Sequence, residues 1–485
     1  MRAVEIEMKL PVLTNKLHSL LFGAVLVIAA SMRLWAAPLS AGPDVAQFWT
    51  FAKVFHEHGL DFYRYADASL DIFPFEVWGF VYPPVWLLVL GLILLFVPSS
   101  SATATMVDTG WRIAMKTPII AADLAIGCLL YWAVPGSRWR KLLFSGIWLF
   151  HPTAWYESAV FGQFDAIAAA LLLASVIMLT RGADRWAFLL AALAVMTKQH
   201  TFAAVAVMLV ITARNCDRRR FLTNCLIGAG VVALLSFPFL LTGNWVSYAR
   251  SVFLPGFAPD YQYPLSFALS GSGALLTHLH NVFGWETGVL LPLTIPVMVS
   301  ALAGTAVMSY RNGVSPLQGA LIGFLVFVSF SYQVNYQYLV VYLPLAILLA
   351  SQTPHLSERI SALVLAILPA AWLWLGNVPW WFNYMEPTSP WVTPLLAHVG
   401  LFRRYLPDYA YVMFAVLLMY LMVAHVVLTL FRWQHGTAEQ TDQANVEDGG
   451  APGRDAVSLT DTCTCGGGSD SDSALRGIVS GAGTP

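Results

Sequence analysis

Charge is what this chain has least of. Lys, Arg, Asp and Glu make up 11% of its 485 residues, where soluble domains carry about 25%. With 58% apolar residues and a mean hydropathy of +0.66, the composition excludes a soluble enzyme and predicts a polytopic, all-α membrane protein embedded in the lipid bilayer. Cysteine is also scarce, with five in all. Cys128 and Cys225 fall in apolar stretches, Cys216 in a basic loop, and Cys463 and Cys465 in the C-terminal tail, so neither a disulfide framework nor a zinc pattern follows. Walker, HExxH and GxSxG motifs and a basic nucleic-acid patch are missing too, so no nucleic acid is expected as a partner. No loop on the cytoplasmic side is long enough to hold a sugar nucleotide. A cleavable signal is not expected either, because no small-residue cleavage site follows the first apolar stretch.

What is there is an uneven charge map. From Gly436 onward eight acids face only Arg454 and Arg476, which leaves the rest of the chain net positive. Residues 434–485 read as a disordered acidic cytoplasmic tail, residues 1–16 as a cytoplasmic N-terminus, and 17–433 as a membrane-embedded catalytic domain. Arg2, Lys9 and Lys16 precede a first span at about Leu17 to Pro38 and put the N-terminus inside. Residues 39–110 then form a long first outer loop. Whether 80–98 crosses decides the later topology. If it stays on the outer side, spans at 115–134, 142–160, 166–180, a hairpin of 186–197 and 201–213, 221–242, 287–309, 316–332, 338–351, 360–376 and 409–431 give about twelve crossings. Arg138, Arg140, Lys141, Arg218, Arg219 and Arg220 then fall inside. Asp44, Gln163, Asp165, Lys198, His200 and the segment Ser331 to Tyr338 collect on one outer face. Several of these spans are short, and short or broken helices are tolerated where they line a cavity.

The chemistry concentrates in a few polar residues at these apolar borders. Asp44 lies just past the first span. It reads either as a general base that accepts a hydroxyl proton or as the N-cap of a helix starting near Val45. Asp61, Asp67, Asp71 and Glu76, farther along the same loop, read as solvated acids, with a metal cluster left open by their spacing. His151-Pro152 and Phe161-Gly162-Gln163-Phe164-Asp165 place an amide and an acid at a helix junction, for ligand contact or for capping. Lys198, with Gln199 and His200, sits amid apolar residues and needs an anionic partner, which is a phosphate, Asp165 or Asp123. Asp123 in turn has Lys116 or Lys198 as its expected partner. Arg64 and Arg250 are further phosphate-binding residues or ordinary interfacial cations. The aromatic runs at Asn377 to Val392 and about Pro255 to Pro264 suit either carbohydrate stacking or a membrane interface.

The order of these pieces resembles a known superfamily. An Asp in the first outer loop, Tyr82-Pro83-Pro84, Lys116-x-Pro118-x4-Asp123, His151-Pro152 with Gly162-Gln163-Phe164-Asp165, and Lys198-Gln199 look like the GT-C polyprenyl-phosphate-sugar glycosyltransferases over about Asp44 to Ala350. Two branches are most alike: the polyprenol-phosphate-mannose-dependent mannosyltransferases and the dolichyl-phosphate-glucose glucosyltransferases. Where the latter show His-Glu-Lys, this chain reads Gln333 to Tyr338, and Gln337-Tyr338-Leu339 onward is nearer to mannosyltransferases of GPI-anchor assembly.

The resemblance implies a GT-C-like helix bundle with juxtamembrane helices in the first loop. It implies inverting transfer of a hexose, mannose by preference, from a polyprenyl-phosphate donor to a glycolipid or glycan hydroxyl on the extracytoplasmic or luminal face. Asp44 would be catalytic. Lys198, His200, Arg64 and Arg250 would bind the donor phosphate, and Tyr82, Gln163, Asp165, Gln337 and Tyr338 would bind substrate. Phosphate is already a good leaving group, so no general acid is required, and no cofactor and no metal ligands are expected. The membrane would be the plasma membrane in a prokaryote and the endoplasmic reticulum in a eukaryote. A carrier or lipid flippase is the rival reading, since broken helices also build transport sites.

Overall fold

The computed structural model describes residues 2–40, 42–66, 79–97, 107–242, 245–253, 271–331, 334–376 and 413–431. Asp67, Asp71, Glu76, Gln333, the aromatic runs at 255–264 and 377–392, Cys463, Cys465 and the tail lie outside them. Every described element is helical. A first helix, α1 (Arg2–Ala36), leads into α2 (Pro43–His58) and a single turn, α3 (Phe62–Tyr65). Then come α4 (Pro84–Phe96), α5 (Thr109–Ala133), α6 (Arg138–Leu149) and the short α7 (Pro152–Trp155), which continues into a π-helical turn, Tyr156–Phe161. A tight hairpin of α8 (Asp165–Thr180) and α9 (Asp184–Thr197) follows, then α10 (Phe202–Asn215), α11 (Arg218–Leu240) and α12 (Trp245–Phe253). The rest is α13 (Gly271–Phe283), α14 (Leu291–Asn312), α15 (Pro316–Phe330), α16 (Tyr336–Gln352), α17 (Leu356–Gly376) and α18 (Met413–Phe431).

Among the described residues five helices are long and apolar enough to cross a bilayer alone: 16–36, 109–133, 218–240, 287–312 and 413–431. Shorter apolar helices are α4, α8, α15 and most of α16. The expected count of about twelve crossings therefore goes beyond what helix length alone supports. At 13 residues α4 is about 20 Å long, too short to cross straight. It packs along α2, where the ring of His56 meets Gly91 O at 2.9 Å.

The expected span at 142–160 is not one helix. Its chain stops at Leu149 and restarts at Pro152, because a residue before proline is pushed out of the helical region and proline brings no N–H of its own. The π turn then ends on Gly162 at φ 84°, a left-handed conformation that glycine adopts without strain. The pairing expected for Asp123 also differs. Its carboxylate meets Arg33 Nε at 2.6 Å, with both side chains fully buried, and accepts from Ser158 Oγ at 2.5 Å. Arg33 Nη1 donates further to Leu149 O at 2.9 Å. This network fastens α1, α5, the end of α6 and the π turn together. Sequence reasoning did not consider Arg33, because the two residues are separated by 90 positions.

Close packing holds the other half. Gly319 and Gly323 form one small-residue stripe on α15, and a Cβ at Gly319 would lie 2.2 Å from Ile211 Cδ1, while one at Gly323 would lie 2.6 Å from Ala203 O. Only hydrogen at these positions lets α10 and α15 approach so closely.

Candidate functional site

Two chain reversals carry the polar residues, and one lysine joins them. Lys116, fully buried on α5, donates to Ala37 O at 3.1 Å and to Val160 O at 2.9 Å, and also to Ser40 O. It thereby ties the exit of α1 to the exit of the π turn. Gly42 N, donating to Phe161 O at 3.1 Å, adds a second tie. Trp111 Nε1 donates to Val45 O at 3.0 Å and seats the start of α2. A side chain at Gly162 would meet Val45, Lys116 and Met115 at about the same distance, between 2.9 and 3.1 Å.

Asp44 therefore lies in the first turn of α2, after Pro43, and the N-cap position belongs to Gly42. Its carboxylate instead accepts from Gln163 Nε2. Asp44 is half-buried and Gln163 fully buried. Burial raises the Asp44 carboxyl from 3.8 to about 6, against the lowering by the Lys198 charge and by the Gln163 hydrogen bond. A carboxylate poised there can hold or release a proton near neutral pH.

Asp165, the first residue of α8, faces the tip of the next hairpin. Lys198 Nζ lies 2.5 Å from Asp165 Oδ2, and His200 Nε2 lies 3.5 Å from Asp165 Oδ1. Of the anionic partners open to Lys198, the structure supplies Asp165. The ammonium sits among rings, 4.3 Å from the centroid of Phe164 and 4.9 Å from that of Tyr82, a geometry in which ring faces favour a cation. His200 packs on Tyr338 with centroids 4.5 Å apart. The hairpin tip is fixed to the Tyr82-Pro83-Pro84 stretch by Gln199 Nε2, which donates to Val81 O at 2.6 Å, and Tyr63 Oη donates to Tyr82 O at 2.9 Å. Trp86 stacks on Phe164 at 4.6 Å.

The structure thus brings Asp44, Gln163, Asp165, Lys198, His200, Tyr82 and Tyr338 into one cluster. Gln337 is buried at the start of α16, next to Tyr338. Arg64 and Arg250 are exposed, on α3 and α12, which pack through Tyr63 and Tyr248 with ring centroids 4.9 Å apart. Among the described residues no hydrogen bond or ion pair joins either arginine to Asp44, Asp165 or Lys198. Nor are three His, Cys, Asp or Glu side chains grouped to hold a metal ion among them.

Sequence reasoning missed Glu157 and the clamp role of Lys116. Glu157 is 2% exposed on the π turn, and the charges of Asp165, Lys198 and Asp44 act on it. The available signal was a lone acid in an apolar run, which is costly in a membrane protein without a purpose. In chemical terms the cluster offers a carboxylate able to take a proton and, beside it, an ammonium held in an aromatic and carboxylate cradle.

The model of glycosyltransferase family 87 matches residues 80–331, more than half of the chain. The match starts just before Tyr82 and includes Gln163, Asp165, Lys198, His200 and Arg250. Asp44 and Arg64 precede it, and Gln337 and Tyr338 follow it. No curated protein matches the chain.

Proposed function

The chain belongs to glycosyltransferase family 87, and on that premise we propose that it moves a hexose, mannose by preference, from a polyprenyl-phosphate donor to a hydroxyl of a glycolipid or glycan. Membership of a glycosyltransferase family in a chain with five membrane-length helices makes it a membrane glycosyltransferase and decides against the carrier. The donor, the sugar and the extracytoplasmic side are the reading we advance.

The observation that carries it is the Asp44 carboxylate, held by Gln163 and within reach of the Lys198 charge. Asp44 takes the proton of the acceptor hydroxyl as its oxygen attacks the anomeric carbon from the face opposite the phosphate. The bond from that carbon to the phosphate oxygen breaks, and the configuration inverts. The leaving phosphate carries both electrons of the bond and needs no proton. Lys198 gives one N–H to Asp165 and has two more to offer the phosphate. His200 and Tyr82 border the same ammonium, Tyr338 borders His200, and Gln337 is buried next to Tyr338 in the chain, so they are assigned to the sugar and the phosphate. Arg64 and Arg250, away from the cluster, are assigned to guiding the lipid phosphate.

The test is transfer itself. Membranes holding the chain are incubated with labelled polyprenyl-phosphate hexoses, and the product is identified for wild type and for Asp44→Asn. Mannose should be transferred, and the variant should lose about 10²- to 10⁴-fold, the usual worth of a general base. Full transfer by the variant sinks the role of Asp44. Failure to consume any lipid-linked hexose sinks the donor assignment.

A further inference from the structure

The α8–α9 hairpin has a second polar end. Helix α8 starts at Asp165 and runs 16 residues, so the turn at Gly182 lies about 24 Å from the Lys198–Asp165 pair. A pocket of about 380 Å³ opens there, lined by Asp184, Arg185, Trp186, Arg220 and Asn224. Its charges are partly used. Arg220 Nε lies 2.7 Å from Asp184 Oδ2, and Arg220 Nη2 donates to Gly182 O at 3.1 Å. Two donors are left over. Arg185 is exposed and makes no ion pair among the described residues. Asn224 is 2% exposed, yet its Nδ2 finds no hydrogen-bond partner among the described residues, and a buried donor left so costs stability. Helix α9 begins at the same place without a side-chain cap, so its first N–H groups add to the positive end.

Two arginines against one aspartate, a helix N-terminus and an unpartnered buried amide all call for an anion. The surroundings say which kind. Trp186, which lines the pocket, is 62% exposed. Helix α11 beside it is long and apolar enough to cross a bilayer, and basic groups at the end of such a helix match a lipid headgroup. A tryptophan at that level suits the interface. We propose that this pocket binds the phosphate of an anionic phospholipid in the leaflet away from the Lys198 end. Arg185, Asn224 Nδ2 and the start of α9 hold the phosphate.

The test uses the full chain, purified in mild detergent and offered phosphatidylglycerol or phosphatidylcholine, with retained lipid counted by native mass spectrometry. Wild type should keep one phosphatidylglycerol at least about tenfold better than phosphatidylcholine, and Asn224→Leu and Arg185→Gln should each cut that preference about tenfold. Should Asn224→Leu fail to fold, Arg185→Gln, at an exposed position, carries the test alone. Equal retention of the two lipids, or a preference unchanged in the folded variants, overturns the proposal. So does complete displacement of the retained lipid by millimolar inorganic phosphate, which would assign the pocket to a free anion.

Discussion

Gln163 donates its side-chain amide to the carboxylate of Asp44 across 119 positions of sequence. The bond joins the first turn of α2 to the loop that opens α8. It stabilises the charged form of a carboxyl that burial otherwise favours as the acid.

If Asp44 is the base, kcat/KM should rise with pH through about 6 and level off above it. Gln163→Leu removes a lowering influence on the Asp44 carboxyl and should move that limb to higher pH. Lys198→Met should do the same, by loss of the nearby positive charge. A limb that stays in place in both variants would mean that another group sets the profile.

Stability should answer to the same carboxyl. Its titration lies near 6 in the folded chain against an ordinary 3.8. The folded state therefore binds more protons than the unfolded one between those values, and stability falls as pH rises across that window. Asp44→Asn should consequently melt no lower than wild type at pH 7 in detergent. A clear drop would show that the charged carboxylate supports the fold.

Lys198→Ala should raise KM for the lipid-phosphate donor more than KM for the acceptor. Its Asp165 partner remains buried, so Lys198→Ala, Asp165→Ala should recover folding but not donor affinity. Equal effects on both substrates would place Lys198 outside the phosphate site.

Arg33→Met should destabilise by about 3–5 kcal/mol, because it leaves Asp123 charged and buried with only Ser158. Arg33→Met, Asp123→Leu should cost less than the single change. The readout is detergent melting, and a double variant as unstable as the single one would refute the uncompensated charge as the cause.

Gly162→Ala should cost about 1–2 kcal/mol from the left-handed backbone alone. Contact with Val45 adds to this. Transfer should fall further than stability, since the strain displaces Gln163 from Asp44. Activity that tracks folded fraction alone would show that the turn has no positioning role.

Much of the cluster was legible because lone polar residues in apolar runs stand out. Lys198, Asp165, Gln163 and His200 were each visible for that reason, and apart from the broken 142–160 stretch the described helices began and stopped near the expected borders. The Arg33–Asp123 pair was not legible, since nothing local marks which of several buried charges will meet. The π turn was hidden as well. Tyr156 to Phe161 carries an ordinary helical pattern, and nothing local in it marks the wider turn. Arg64 and Arg250 were picked by the sign of their charge and by topology, which fix a side of the membrane but not a distance.

The Lys116 ammonium grips the backbone on both sides of the Asp44–Gln163 contact. Those two walls must therefore travel as one piece. A change of sugar preference during evolution cannot come from shifting either wall alone. It has to be written on the side that Lys116 does not hold, the side lined by Tyr82, His200 and Tyr338.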